Sequence, residues 1–383
     1  MIDNPFSAEH PVHPKKFAGR TQQIKDFKLF LQDTISGNPK NIAVLGDWGI
    51  GKTSLLWYLK HEAEKKGCVG TIIELDRSVN SYTLVLETII CSLARDAKNH
   101  KKLPARVKDF LETLSLSVKY GPIGVSFSKM ENIRPNLIKF EDDLVKIYKE
   151  INTPLLIMLD NIEEIFRIEG AIYSLRNIFQ MLQSIRGNIR CMLIFAGKES
   201  LFRDIRSISE PVARFFWAID LQGFTKTETK DAIKKALRTT KVTFDDEVIH
   251  EIHEKSKGHP YFVQAISYVL FRNATSTKIT LKDFVRDYNE VINFLGFKLF
   301  KSIIESITIT EKKVLYGFLH SKKEILTNKE LKEYTDIANV NVYLNRLSEY
   351  TPAVVIKESR GRYKLFHPLF KEYLKKFKYQ DGS

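Results

Sequence analysis

Cysteine is scarce: Cys68, Cys91 and Cys191 are the three in 383 residues. They are scattered among apolar neighbours without metal-ligand spacing. That excludes a disulfide scaffold and a zinc site, and implies reduced, buried thiols. No apolar run approaches the roughly 18 residues that cross a bilayer, so the chain is not expected to enter a membrane. The opening Met1-Ile2-Asp3-Asn4-Pro5-Phe6 lacks a basic region followed by an apolar core. No secretory leader is therefore expected, and a cytoplasmic location is. Acid is also in deficit, 46 Asp and Glu against 60 Lys and Arg, for a formal net charge of +14. Such a balance favours polyanions, nucleic acid first and an anionic membrane surface second. A lysine-rich solvated surface would give the same count.

What is present is the composition of a globular protein, 43% hydrophobic and 28% charged, long enough for two or three domains. Its most informative stretch is Gly46-Asp47-Trp48-Gly49-Ile50-Gly51-Lys52-Thr53, which fits the phosphate-loop pattern G-x-x-x-x-G-K-[ST] without a mismatch. An apolar run, Ile42-Ala43-Val44-Leu45, enters it as a buried strand would, and Ser54-Leu55-Leu56-Trp57-Tyr58-Leu59 leaves it with helical character. Glycines let backbone N–H groups approach phosphate oxygens, and the helix N-terminus adds positive potential. Lys52 can then reach the β- and γ-phosphates of ATP or ADP, and Thr53 can place its hydroxyl on Mg²⁺.

Before the loop, Pro5, Pro11 and Pro14 predict an extended strap that packs on a surface, beside the base or simply as structure. A helix is expected over 21–36, ended by Gly37-Asn38-Pro39. Between residues 41 and 225 strand and helix alternate, with strands at 42–46, 70–75, 154–160, 190–197 and 217–221. This predicts an α/β parallel sheet with helices on both faces. A hairpin inserted after the second strand is expected, with strands at 114–120 and 125–128 around the turn Gly121-Pro122-Ile123-Gly124.

Leu155-Leu156-Ile157-Met158-Leu159 reads as a strand buried on both faces. Asp160 closes it at the carboxyl edge, a candidate to hold Mg²⁺ opposite Thr53. Hydrolysis needs a carboxylate near the attacking water. Asn161 can orient water but cannot take its proton, which leaves Glu163 or Glu164, both equally explicable as first-turn helix acids. Lys198, after the next strand, is a candidate γ-phosphate sensor, and Arg203, Arg206 and Arg214 are candidates to reach a neighbouring subunit's site in a homo-oligomer.

Domains are expected at 1–225 (core and strap), 226–300 (helical lid) and 301–383. The last should hold a helix over 311–319, a second opened by the capping box Thr327-Asn328-Lys329-Glu330, and a third with Ile337, Val340, Leu344 and Leu347 inward. A hairpin follows, turning at Ser359-Arg360-Gly361. Three helices and a hairpin read as a winged helix. Tyr343, Arg346, Lys357, Arg360, Arg362 and Lys364 are its candidate contacts to double-stranded DNA. A winged helix used for protein contact is the alternative.

These residues together resemble the AAA+ and STAND branches of P-loop ATPases, especially archaeal ATPases with a C-terminal winged helix. The resemblance implies that Phe17-Ala18-Gly19-Arg20 lies near adenine, with Phe17 and Arg20 in contact, and that Asp160 is the second acidic motif. It implies that Pro260, in Gly258-His259-Pro260, packs by the base. It further implies that His367, in Phe366-His367-Pro368-Leu369, contacts ADP phosphates; the plain reading is a core histidine. Asn161 replaces the family's usual acid, and the lid helix offers no sensor arginine. Both departures imply the slow turnover of a switch. Its readout is either DNA, as in origin-recognition initiators, or a recruited protein effector.

Overall fold

The computed structural model describes residues 4–99, 104–119, 133–184, 189–201 and 210–378, with side chains omitted at 114–119 and 133–137. They form two compact units, residues 11–47 with 51–222, and residues 1–10 with 48–50 and 223–383.

The first unit is built on five strands, β1 (Asn41–Leu45), β2 (Val69–Glu74), β3 (Leu155–Asp160), β4 (Cys191–Gly197) and β5 (Phe216–Asp220). All pairings are parallel, in the order β2-β3-β4-β1-β5. Every residue of β1, β3 and β4 is buried, as continuous apolar runs require between two helical layers. Each of Leu155 to Leu159 is fully buried, stabilising the sheet by roughly 1.5–3 kcal/mol per side chain. Because all strands run the same way, the carboxyl ends of β1, β3 and β4 lie along one edge, where open α/β sheets bind ligands.

The expected hairpin is corrected in part. Residues 114–119 continue the helix Ala105–Lys119; its turn and second strand, 120–128, lie outside the described residues. Alternation of Leu114, Leu116 and Val118 suggested a strand, but Val107, Leu111, Leu114 and Val118 also repeat at helical spacing. Extending a formed helix adds a hydrogen bond per residue without a new nucleus.

The second unit begins with the lead-in chain. Asn4 donates through Nδ2 to Tyr268 O at 3.0 Å, the Ser7 N–H donates to Gln264 Oε1 at 3.2 Å, and Phe6 is buried against Phe244 and Phe271. Helices Lys226–Leu237, Asp246–Ser256, Pro260–Arg272 and Leu281–Leu295 follow. The expectation of an all-helical stretch is corrected by two short parallel strands, β6 (Thr243–Phe244) and β7 (Lys278–Ile279). Two residues are too few to show a strand's alternation in sequence.

Beyond lie helices Ile309–Gly317, Asn328–Thr335 and Val340–Glu349, interleaved with β8 (Ile325–Thr327), β9 (Val355–Ser359) and β10 (Arg362–Leu365) in the order β8-β10-β9. The Thr327/Glu330 capping box is formed. Val340, Leu344 and Leu347 are buried. The closing helix, Pro368–Lys378, shares one hydrophobic core with the four helices before Gly296. Tyr288 donates to Glu372 at 2.7 Å, and Lys255 lies 3.3 Å from the same carboxylate.

Candidate functional site

Four side chains gather where β1 and β3 end. Lys52 opens the helix Lys52–Lys65 and turns its Nζ back to donate to Gly46 O and Asp47 O, each at 2.9 Å. Thr53 Oγ1 donates to Asp160 Oδ2 at 2.5 Å, and the Asn161 N–H donates to Asp160 Oδ1 at 3.0 Å. Glu163 accepts the Lys198 N–H at 2.7 Å. Gly197 makes that approach feasible, since a Cβ there would meet Ile162 Cγ2 at 2.5 Å.

The electrostatics are poised for a charged ligand. Burial pushes the Lys52 ammonium below its ordinary pKa, while the carboxylates of Glu163, Asp160 and Asp47 oppose that shift. Burial pushes the Asp160 carboxyl above its ordinary range, against the hydrogen bonds from Thr53 and Asn161. An anion would relieve the first group and a cation the second. The donor set therefore fits a phosphate beside a hard cation such as Mg²⁺, held by Thr53 and Asp160.

Glu163 and Glu164 separate clearly. Glu163 is the carboxylate acting most strongly on Lys52, whereas Glu164 pairs with Arg167 at 2.8 Å. Asn161 spends its side chain on structure: it adopts φ 56° and donates through Nδ2 to Leu75 O at 3.2 Å, tying the end of β3 to that of β2.

The other sequence candidates are dispersed. Ser54 Oγ accepts the Val12 N–H at 3.0 Å, anchoring the strap to the loop's own helix. Phe17 stacks on Tyr58 with centroids 4.7 Å apart. Arg20 is buried, with φ 61°, and donates to Gln222 O at 2.5 Å. Arg214 pairs with Glu210, while Arg203 and Arg206 lie outside the described residues. Trp48, Gly49 and Ile50 cluster with the second unit, where Pro260 is buried at the first helical position after His259. The sequence marks His259 only by its position directly before an N1 proline.

His367 is buried, stacked on Phe262 at 3.8 Å. Its Nδ1 accepts the Leu369 N–H at 3.2 Å, so Nε2 carries the proton and donates to Ser256 O at 2.9 Å. Burial pushes its pKa down to about 3. The folded state then stays neutral while the unfolded chain takes up a proton below roughly pH 6.5. Stability is lost as pH falls across that window, by about 1.4 kcal/mol per pH unit. His367→Gln is accordingly expected to lose less stability between pH 7 and pH 5 than wild type, by about 2 kcal/mol in urea titrations. Equal losses would show that His367 does not titrate this way.

On the outer surface, Lys357, Arg360, Arg362 and Arg346 are exposed and Tyr343 is half-buried, with the Arg346 guanidinium 6.0 Å from its ring centre. Lys364 is half-buried and paired with Glu358. Among the described residues no helix is long and apolar enough to cross a membrane.

A parallel five-stranded sheet with a phosphate loop after β1 is the α/β P-loop NTPase fold. Residues 16–190 match the family model described as an AAA ATPase domain. Fold and match agree over that stretch, which is similar to AAA ATPase domains. The fold is like that of archaeal ORC proteins. The chain superposes on the Aeropyrum pernix ORC2 protein, solved in ADPNP–ADP complexes, with TM-score 0.62 and 14% identity, over 100% of this chain and 99% of that one. It superposes on a Walker-type ATPase of Pyrococcus abyssi with TM-score 0.64 and 14% identity, over 97% and 99%. For the Aeropyrum pernix ORC1 protein, solved in complex with DNA, the values are 0.51 and 13%, over 95% and 94%. In sequence, an uncharacterised HTH-type transcriptional regulator of Methanocaldococcus jannaschii is 22% identical over 396 residues, covering 96% of this chain and 90% of the relative.

Proposed function

We propose that the protein is an ATP-dependent switch that hydrolyses ATP slowly and reads out its nucleotide state on double-stranded DNA through a C-terminal winged helix. The observation that carries the nucleotide part is the gathering of Lys52, Thr53, Asp160 and Glu163 around the phosphate loop. Lys52 and the loop N–H groups would hold phosphates, and Thr53 with Asp160 would hold Mg²⁺. The ion would supply neutralisation of phosphate charge. Glu163 would orient a water and accept its proton. Slow turnover is supported by Asn161, whose side chain is engaged with Leu75 O where the family has an acid.

The DNA readout is supported by the element order of the helices Ile309–Gly317, Asn328–Thr335 and Val340–Glu349 with strands β8 to β10, and by exposed Lys357, Arg360 and Arg362 on the β9–β10 hairpin. Charge reversal of these three, sparing the paired Lys364, is expected to weaken duplex binding at about 50 mM salt by about 10-fold or more. Loss of three phosphate contacts should also flatten the salt dependence, by roughly 0.9 in slope per contact. Retention of wild-type affinity would remove DNA contact by the hairpin.

A second reading has its own support. Tyr288 and Lys255 clamp Glu372 of the closing helix, as intramolecular control would require, with a protein effector or homo-oligomer as the output. Absence of any duplex binding by wild type at that salt would leave this reading. Sizing the protein with ADP, with a slowly hydrolysed ATP analogue and with duplex DNA separates the two.

A further inference from the structure

The tip of the phosphate loop packs on the turn that opens the helix Pro260–Arg272. Trp48 O lies 3.0 Å from His259 Nε2. A carbonyl oxygen only accepts, so Nε2 carries the hydrogen and donates it. The Trp48 ring lies against Tyr261, with centroids 4.7 Å apart. Between these contacts Gly49 takes φ +72°, and a Cβ on it would meet His259 Cε1 at 2.9 Å and Tyr261 Cβ at 3.1 Å. His259 is itself held. It caps the helix with extended φ −69°, ψ 118°, and Pro260 stands at the next position. Its ring centre is 5.0 Å from that of Phe262 and 6.1 Å from that of His367.

In a trans peptide the carbonyl and the following N–H point in opposite directions. Fixing Trp48 O on His259 therefore fixes the Gly49 N–H to point away from His259. A glycine at positive φ is the place where this peptide flips at least cost. A flip would present a carbonyl oxygen, rather than an N–H, to an anion in the loop.

We infer that His259 is a positioning residue, whose hydrogen bond to Trp48 O locks the 48–49 peptide in its phosphate-accepting orientation. The inference rests on the nucleotide-binding reading and deepens it. It also gives the Gly258-His259-Pro260 element a role through the loop in addition to any contact of Pro260 with the base.

The test uses the full chain in a Trp57→Phe/Trp217→Phe background. Both tryptophans are largely exposed, at 46% and 58%, so Trp48 becomes the single fluorophore. His259→Ala and His259→Leu are expected to weaken ADP binding about tenfold, through faster release, and to shift Trp48 emission. His259→Gln, whose amide can donate to Trp48 O, should restore most of both. Should the alanine variant fail to fold, leucine, which keeps most of the ring's volume, carries the comparison. Affinity within twofold of wild type in the alanine or leucine variant overturns the inference, as does an equal loss in the glutamine variant. Wild-type protein that binds no ADP would instead sink the nucleotide reading. Trp48 emission then decides alone: a shift in alanine and leucine reversed by glutamine supports the hold, and unchanged emission overturns it.

Discussion

Lys52→Ala is expected to lower ATP affinity by about 30-fold or more, because truncating one partner of a buried, hydrogen-bonded charge pair costs roughly 2–5 kcal/mol. Two effects add. The ammonium donates to Gly46 O and Asp47 O, so its loss frees the loop's entry as well as removing a phosphate partner. It is also the cation that stands against Glu163, Asp160 and Asp47. Without it those carboxylates face the incoming phosphates uncompensated. Calorimetric titration with ATP checks this; an alanine variant binding within threefold of wild type would show that the loop does not grip phosphate as proposed.

Glu163→Gln is expected to keep ATP bound while lowering kcat by about 10²–10⁴-fold, the range for losing a general base. Glutamine retains an oxygen that can accept the Lys198 N–H, so the local structure has reason to persist while the proton acceptor is gone. Glu164→Gln is the contrast. That carboxylate is engaged with Arg167, and its loss should change turnover by no more than a few-fold. Single-turnover phosphate release separates the two. Unimpaired hydrolysis by Glu163→Gln would move the base elsewhere.

The strands were legible because their signal is local. The run Leu155 to Leu159 is apolar at every position, which a two-sided burial demands and a one-sided strand does not. The capping box at Thr327 was legible for the same reason, since Glu330 lies one turn away in sequence as in space. At residues 114–119 alternation and helical spacing coexist, so the local pattern does not distinguish a strand from the helix that forms. β6 and β7 escaped notice because a pair of two-residue strands separated by a long helical stretch has no local pattern at all. Within the site, Glu163 and Glu164 are adjacent, and nothing in sequence distinguishes them. A hydrogen bond to Lys198 and an ion pair with Arg167 do.

By itself the sequence determined the phosphate loop, the buried strands around it and the carboxylate that closes the third, since each is written in a few neighbouring residues. Tertiary structure alone decided the strand order, the choice between the two glutamates, and the pairing of His259 with Trp48 across 211 positions. Those depend on which distant segments pack together, and packing is a property of the whole chain's burial rather than of any window along it.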